Sequence, residues 1–328
     1  MRPMVFVILI VSTSLFFLSC DQQFDVRQPF EEQLVVFSIL STDRPRLIVR
    51  VERTYMPADF NPLAHVSDNF VENAVVTVDD GTAKFRLRDT TLARSDTSRF
   101  RFPLRAYILD QLTVQYGKRY SITVQSSVSG TAGGSAVVPG KPSLALGAGG
   151  SDVLDNPGRY QDDDAILFQG LLSNITKGFI ARLFVDYRVF ADGSWIDGRI
   201  EVPREYIYSD FKDYKYVTYA KLTRCESNRV LSAAYTNVMY NAALIEASFV
   251  KHVQSSSIIF QRVVLQLLQV EQNLYNYYKV AHVYDDLHST RLDEPLYSVI
   301  DGGVGVVGAY TLDSLVHTLP PNFPYNRN

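Results

Sequence analysis

Apolar and polar residues alternate along most of the chain after residue 32, with the period of two that is typical of β-strands. The first such run is 34–40, and in the second, 46–53, apolar residues on one face alternate with charged residues on the other. An Asp80-Gly81 pair then separates two alternating runs, which predicts a tight β-hairpin. Short strands at this spacing predict an immunoglobulin-like antiparallel sandwich over residues 33–140. Its remaining strands are predicted at 99–105, 120–125 and 135–138.

Glycine, proline and serine are frequent between residues 139 and 158, and we place a Gly- and Asp-rich linker at 141–164. Alternation resumes afterwards, so residues 165–318 are expected to form a second β-rich domain, followed by a tail at 319–328. In two segments apolar residues recur near the helical period instead, which predicts one or two helices. The predicted strands are 165–172, 178–190, 199–208, 215–222 and 262–271, and the predicted helices are 232–247 and 273–287.

The start of the chain has the pattern of a secretory signal, because Arg2 precedes an apolar run from residue 4 to residue 18. This run is shorter than the roughly 20 residues of a membrane-spanning helix. Its end, Phe17-Leu18-Ser19-Cys20, resembles the lipobox of bacterial lipoproteins, in which the cysteine is acylated and becomes the first mature residue. We therefore predict a signal peptide at 1–19, fatty acylation of Cys20, which palmitate would label, and a polar tether at 20–32 that holds the protein at a membrane. The alternative is an ordinary secretory signal with an incidental cysteine.

Composition and charge narrow the classes of partner. The 32 basic and 35 acidic residues give a net charge of −3, which does not favour nucleic acid as a partner. The 20 tyrosines and 19 phenylalanines suit sheet faces and partner-facing surfaces. The two cysteines are Cys20 and Cys225, so lipidation of the first leaves none to form a disulfide within the chain. We interpret Cys225 as a small core or edge residue, not as a nucleophile.

The segment Gly303-Val304-Gly305-Val306-Val307-Gly308 has the GxGxxG spacing of a dinucleotide-binding turn. That turn requires a preceding strand, a following helix and an acidic residue about 20 positions later. The residues that follow Gly308 have a strand-like pattern instead. We therefore predict no cofactor and interpret these glycines as part of a late strand that bulges or lies close to another backbone.

Other motifs for chemistry are weak. The five histidines show no metal-ligand spacing, and Asp162, Asp163 and Asp164 are interpreted as a solvated acidic loop, with a calcium site as the alternative. The signatures of common serine hydrolases, metalloproteases and nucleotidases do not occur in the sequence. A pair of glycosidase carboxylates stays an open alternative, because only the fold brings such a pair together.

The chain resembles the β-rich lipoproteins of Bacteroidetes that are described only as a domain of unknown function. The residues that carry this resemblance are Ser19-Cys20, Leu34-Val35-Val36-Phe37, the segments 73–81 and 120–124 with Val138-Pro139, and the segment 298–310. The resemblance implies an N-terminal immunoglobulin-like or carboxypeptidase-regulatory-like sandwich. It also implies a gene neighbourhood with TonB-dependent outer-membrane receptors. It supplies no catalytic residues.

These observations predict a non-enzymatic lipoprotein of the cell envelope, anchored in the outer membrane through Cys20, that binds a partner protein or an external ligand. A TonB-dependent receptor is the candidate partner. The tyrosine-rich segment 206–219 supplies Tyr214 and Tyr216 as candidate partner contacts, and a pair of ordinary strands is the alternative interpretation of that segment. The alternative functions are an envelope hydrolase acting on glycans or peptides and a structural or adhesive surface protein. A large aromatic-lined groove would favour binding, whereas two convergent carboxyl groups with raised pKa would favour the hydrolase.

Overall fold

Strands make up most of the fold, as the alternating pattern predicts. The computed structural model describes residues 30–56, 68–94, 102–208, 215–250, 257–281 and 297–327. The first nine strands are β1 Leu34–Ser41, β2 Leu47–Arg53, β3 Val75–Asp79, β4 Lys84–Arg86, β5 Arg88–Leu92, β6 Leu104–Leu109, β7 Arg119–Ser126, β8 Gly130–Val137 and β9 Ser143–Leu146. The others are β10 Ala165–Leu171, β11 Gly178–Ala191, β12 Ser194–Val202, β13 Glu205–Tyr208, β14 Lys215–Thr218, β15 Thr223–Arg224, β16 Val230–Thr236, β17 Ser257–Val270 and β18 Gly303–Thr318. The helices are α1 Gly150–Asp155, α2 Asn237–Ile245 and α3 Gln272–Ala281, with a 3-10 turn at Pro157–Arg159 and a π-helical turn at Glu246–Val250.

One large sheet organises the molecule. Its strands lie in the order β12-β11-β17-β18-β1-β2-β6-β5, and β15 pairs with β11 as a ninth strand. The pairs are antiparallel except for β1 and β18, which run parallel over eight residue pairs. Strand β1 alternates as predicted, with Leu34, Val36 and Leu40 buried on one face. The fold is therefore mainly β, and this part of the prediction is confirmed.

The N-terminal core lies between the large sheet and a second sheet of four strands, β4-β3-β7-β8. The predicted Asp80-Gly81 hairpin joins β3 to β4, and Gly81 has the positive φ of 83° that such a turn requires. Two buried tyrosines fix loops to this sandwich. The Tyr107 hydroxyl donates to the Val71 carbonyl and accepts from the Ala74 amide, and the Tyr120 hydroxyl accepts from the Gln115 amide.

The C-terminal core lies between β11 and β17 of the large sheet and a layer formed by α2 with the three-stranded sheet β16-β10-β9. Strands β11 and β17 pair over almost their whole length, with one irregularity between Asp186 and Tyr187. The acidic loop connects to this layer through its backbone: the carbonyls of Asp164 and Asp162 accept from the first two amides of α2. The loop thus supplies the hydrogen-bond partners that a helix N-terminus lacks.

The two cores correspond only in part to the two predicted regions. The predicted linker at 141–164 contains β9 and α1 and buries Val153 and Leu154 in the C-terminal core, and the predicted tail at 319–328 buries Leu319 and Phe323 there. One sheet also connects the two cores. Strand β18 pairs with β17 on one side and β1 on the other, so a C-terminal strand supplies Val307 and Ala309 to the N-terminal core. By its contacts, Gln33–Asn328 is one compact unit, whereas the sequence suggested separate domains at 33–140 and 165–318. The difference arises because the partner of β1 lies about 270 residues away in the chain, and no local pattern reveals such a pairing.

The helix prediction for 232–247 is wrong in its first part. Residues up to Thr236 belong to β16, which buries Leu231, Ala233 and Tyr235 in strict alternation, and the helix begins only at Asn237. The spacing of four between Tyr235 and Met239 suggested a longer helix. The other prediction, 273–287, matches α3 as far as Ala281, and residues 282–287 lie outside the described residues. No helix in the described part of the chain is long and apolar enough to cross a membrane.

Candidate ligand-binding groove

The residues predicted as sites lie mostly outside the described ranges. Ser19, Cys20 and Tyr214 fall there, so lipidation and the Tyr214 contact stay predictions. Tyr216 belongs to β14, where its backbone pairs with Ile207 of β13, but its side chain is outside the described residues. The interpretation of this segment as a pair of strands thus applies to 205–208 and 215–218. Of the tyrosines in the segment 206–219, Tyr219 is the one whose side chain the structure describes, and this residue is 45% exposed.

A large groove lies on the face of the main sheet that points away from the N-terminal core. Its volume is about 1070 Å³. Strand β1 explains its origin, since Phe37 and Ile39 alternate with the core residues and are apolar where an exposed strand face is usually polar. The floor crosses six adjacent strands, β11, β17, β18, β1, β2 and β6. Its apolar side chains are Phe37, Ile39, Ile48, Leu104, Ala106, Ile180, Leu268, Val270 and Tyr310.

Helix α3 forms one wall of the groove, through Leu274 and Tyr278. Its position is fixed by Glu271, the residue between β17 and α3. The Glu271 carboxylate accepts from the amides of Asn273 at 2.7 Å and Leu274 at 2.8 Å, and from the Ala309 amide of β18 at 3.2 Å. Burial raises the pKa of Glu271, and these three hydrogen bonds oppose the rise. One carboxylate therefore both caps the helix and joins it to the sheet.

Among the described residues, the groove is lined by five cationic side chains and by no carboxylate. The cations are Arg44, Arg46, Arg50, Lys221 and Lys279. The three arginines each have an acidic neighbour just outside it, namely Asp43, Asp110 and Glu52. Lys221 and Lys279 form no ion pair within the described part of the chain. The Lys279 ammonium lies 5.6 Å from the centre of the Tyr275 ring, and Tyr275 packs with Leu222, the neighbour of Lys221. Among the described residues, these two lysines therefore form a part of the wall whose positive charge has no carboxylate partner.

The groove has the composition of a binding site. Ligand pockets typically combine a mostly apolar lining with a few polar groups, in volumes of about 300–1000 Å³. Of the carboxyl groups in the described residues, two have a raised pKa, Glu271 and Asp313, in both cases mainly through burial. Glu271 bonds to residue 309 and Asp313 lies four positions further along β18, roughly 13 Å at the usual strand rise. Glycosidase carboxylates lie closer than about 10 Å, so these two do not form such a pair.

The other candidate chemical groups have structural positions. Cys225 is partly buried against the C-terminal core, and burial raises the pKa of its thiol, so the reactive thiolate is disfavoured. Within the described ranges, no group of three or more His, Cys, Asp or Glu side chains is arranged to hold a metal ion. The GxGxxG segment begins β18, which continues as a strand to Thr318. A Cβ atom on Gly303 or Gly305 would lie 2.5 or 2.1 Å from a carbonyl oxygen of β1, so these glycines permit a close backbone approach.

The groove was not predicted from the sequence, although the apolar pattern of β1 indicated that both faces of this strand are covered. Residues 34–40 of β1 are apolar on both faces except at Ser38, a pattern that indicates burial on both faces of a strand. The cations come from the turn between β1 and β2, from β2 itself, from the loop after β14 and from α3, and no sequence spacing connects them.

Comparison with known proteins gives one match to a family. The sequence model described as "Domain of unknown function (DUF4249)" matches residues 21–315. A search of curated proteins finds no match. Two solved structures are similar to parts of the chain: the C-terminal globular domain of an oligosaccharyltransferase from Pyrococcus abyssi and DIP-gamma IG1+IG2.

Both structural similarities are low. The archaeal domain has 9% identity and a TM-score of 0.23, over 73% of this chain and 46% of that chain. DIP-gamma IG1+IG2 has 10% identity and a TM-score of 0.17, over 63% of this chain and 96% of that chain. The chain thus spans less than half of the archaeal domain it matches.

Proposed function

The chain belongs to the family of domains of unknown function DUF4249, and on that premise we propose that it is a non-enzymatic, lipid-anchored protein of the bacterial cell envelope that binds a ligand or partner in its sheet-face groove. The observation that carries this proposal is the groove itself. Exposure of an apolar floor across six strands to water is unfavourable in free energy, and a ligand that covers the floor removes that unfavourable contribution. The five cationic side chains that line the groove add selectivity for a negatively charged ligand.

The anchor and the location are further parts of the proposal. The apolar run that ends at Ser19-Cys20 supports acylation of Cys20 and retention at the outer membrane. An anchored binding protein meets partners in the same membrane at a raised effective concentration. We therefore propose a TonB-dependent receptor of the outer membrane as the partner, with Tyr214 and Tyr216 as candidate contacts.

The anchor is tested by metabolic labelling with palmitate. Wild-type protein should incorporate the label, whereas Cys20→Ser should not and should accumulate as a precursor. The matched control is Cys225→Ser, which should label like the wild type. Equal labelling of the Cys20→Ser variant would contradict the anchor.

The partner is tested by purification of the native lipoprotein from outer membranes in mild detergent after cross-linking. A β-barrel receptor should be recovered with it. Alanine at both Tyr214 and Tyr216 should weaken recovery while the melting temperature changes little. Recovery of the lipoprotein alone would remove the receptor from the proposal and leave binding in the groove to be tested separately.

A further inference from the structure

The shape of the groove restricts its occupant. The floor spans the distance from β11 to β6, five strand spacings, which is about 24 Å at roughly 4.8 Å per spacing. A volume of about 1070 Å³ over that length corresponds to a mean cross-section of roughly 45 Å². A helix with side chains is about 10–12 Å in diameter and has roughly twice that cross-section. The groove therefore suits an extended molecule better than a helix.

Hydrogen bonding separates two kinds of extended molecule. The strands that form the middle of the floor are paired on both sides, so their backbone groups are already hydrogen-bonded within the sheet. The polar side chains of the lining are the five cations, which only donate, and the hydroxyls of Ser41, Tyr278 and Tyr310. A peptide laid across this floor would find no free backbone groups in the sheet to pair with. Each of its amides that is buried against the floor would lack an acceptor, at about 1–3 kcal/mol each. An alkyl chain has no such groups.

Charge then identifies the head group. Lys221 and Lys279 border the groove beside the α3 wall, and neither pairs with a carboxylate of the described residues. A carboxylate of the occupant would compensate both ammonium groups. The three arginines, from the β1–β2 turn and β2, add positive potential to the groove, attenuated by their acidic neighbours.

From these three arguments we propose that the groove binds a single-chain anionic amphiphile of the long-chain fatty acid class, with its alkyl chain across the sheet and its carboxylate at Lys221 and Lys279. This assignment rests on the proposed binding function and names its ligand. The length is adequate, since the acyl chains of one bilayer leaflet span about 15 Å and the floor spans about 24 Å.

Titration of the purified mature protein with a fluorescent fatty acid, cis-parinaric acid, tests the proposal. Binding should saturate and unlabelled palmitic acid should displace the probe. The double variant Lys221→Glu/Lys279→Glu should weaken binding at least tenfold. The matched control is the double variant Arg86→Glu/Arg119→Glu, an equal reversal of two charges on exposed residues of the four-stranded sheet, and it should bind within twofold of the wild type.

A second series varies the ligand. Hexadecanol, which has the chain of palmitic acid without its charge, should displace the probe at least tenfold less well. Equal displacement by both, together with unchanged binding by the lysine variant, would overturn the head-group assignment. The floor is tested with Ile48→Asp, a substitution at a side chain already 38% exposed, which should abolish saturable binding without unfolding the protein.

Other occupants would give other results. Displacement of the probe by an acidic leucine-containing peptide, but not by palmitic acid, would assign the groove to a peptide and overturn the proposal. The fraction of protein that binds the probe could instead fall as the protein concentration rises, with dimers detected by sedimentation. That result would assign the groove to a second copy of the chain and overturn the proposal. No saturable binding at all would overturn the fatty acid, whereas recovery of a receptor from membranes would still support a binding function.

Discussion

Replacement of Gly305 by alanine is expected to destabilise the protein strongly, because Gly305 lies where β18 joins the two cores. Its φ is +121°, a region that residues with a side chain rarely adopt. An added Cβ would lie 2.1 Å from the Val36 carbonyl oxygen, and Val36 is its partner in the parallel pairing with β1. Both the backbone angle and the contact therefore oppose a side chain.

The size of the effect follows from these two contributions. A strained φ costs on the order of 1–3 kcal/mol. Relief of the contact requires β1 and β18 to separate locally, which resembles overpacking of a core and costs about 1–3 kcal/mol more. We expect a total of roughly 2–6 kcal/mol, against a typical free energy of unfolding of about 5–15 kcal/mol.

Urea unfolding followed by circular dichroism measures this loss, and Gly81→Ala is the matched control. Gly81 has a φ of +83° but no atom within 4 Å of an added Cβ, so it isolates the cost of the backbone angle. We expect about 1–2 kcal/mol for the control. Equal unfolding free energies for the two variants would refute the close-approach argument. Retained stability of Gly305→Val with loss of micromolar nucleotide binding would revive the dinucleotide interpretation.

Three further predictions concern buried polar groups. Gln269 is fully buried and makes four hydrogen bonds, to Gly140, Ser173, Thr176 and Thr311, so Gln269→Leu should cost about 3 kcal/mol or more in urea unfolding, whereas Gln266→Leu in the same strand should cost little. Burial alone would raise the pKa of Asp186, but hydrogen bonds and charge from Arg199 and Arg262 hold it below its usual value. Its stabilising contribution is therefore present above about pH 4 and lost as the pH falls through the lowered folded pKa. When the free energy of unfolding is measured against pH, Asp186→Asn should flatten the acidic part of the curve. An unchanged acidic part would contradict the assignment. The pKa of Glu271 is raised, so the folded state binds its proton more tightly than the unfolded state does, and this contribution to the free energy of unfolding is lost as the pH rises through the folded pKa. Glu271→Gln should remove this pH dependence. It should also lower the free energy of unfolding by about 1–3 kcal/mol, because one amide loses its acceptor.

The fold was predictable where local chemistry determines it. Alternation in β1 and β2, and the Asp80-Gly81 turn, specify strands and a hairpin within a few residues of sequence. The error at 232–236 shows the limit, because Leu231, Ala233 and Tyr235 fit a period of two while Tyr235 and Met239 fit a helical turn. The GxGxxG segment was interpreted correctly as strand because of the residues that follow it.

The groove was not predictable, because it depends on pairings between distant strands. Phe37 and Ile39 showed that β1 has two apolar faces, but what lies beside them is set by β18 and α3, which follow more than 230 residues later. The same holds for Gln269, whose four partners come from three separate loops and strands. Sequence patterns indicate which residues are buried, whereas partners across the sheet emerge only from the topology.

The most direct test of a binding function is the location of a bound ligand in solution. Isoleucine methyl resonances of the labelled protein can be followed by NMR during a titration with palmitic acid. The groove residues Ile39, Ile48 and Ile180 should shift progressively and saturate, while the core residues Ile122, Ile166 and Ile258 should stay in place. Saturable shifts confined to the core residues, or no shifts in either set, would contradict the assignment of the groove as the binding site.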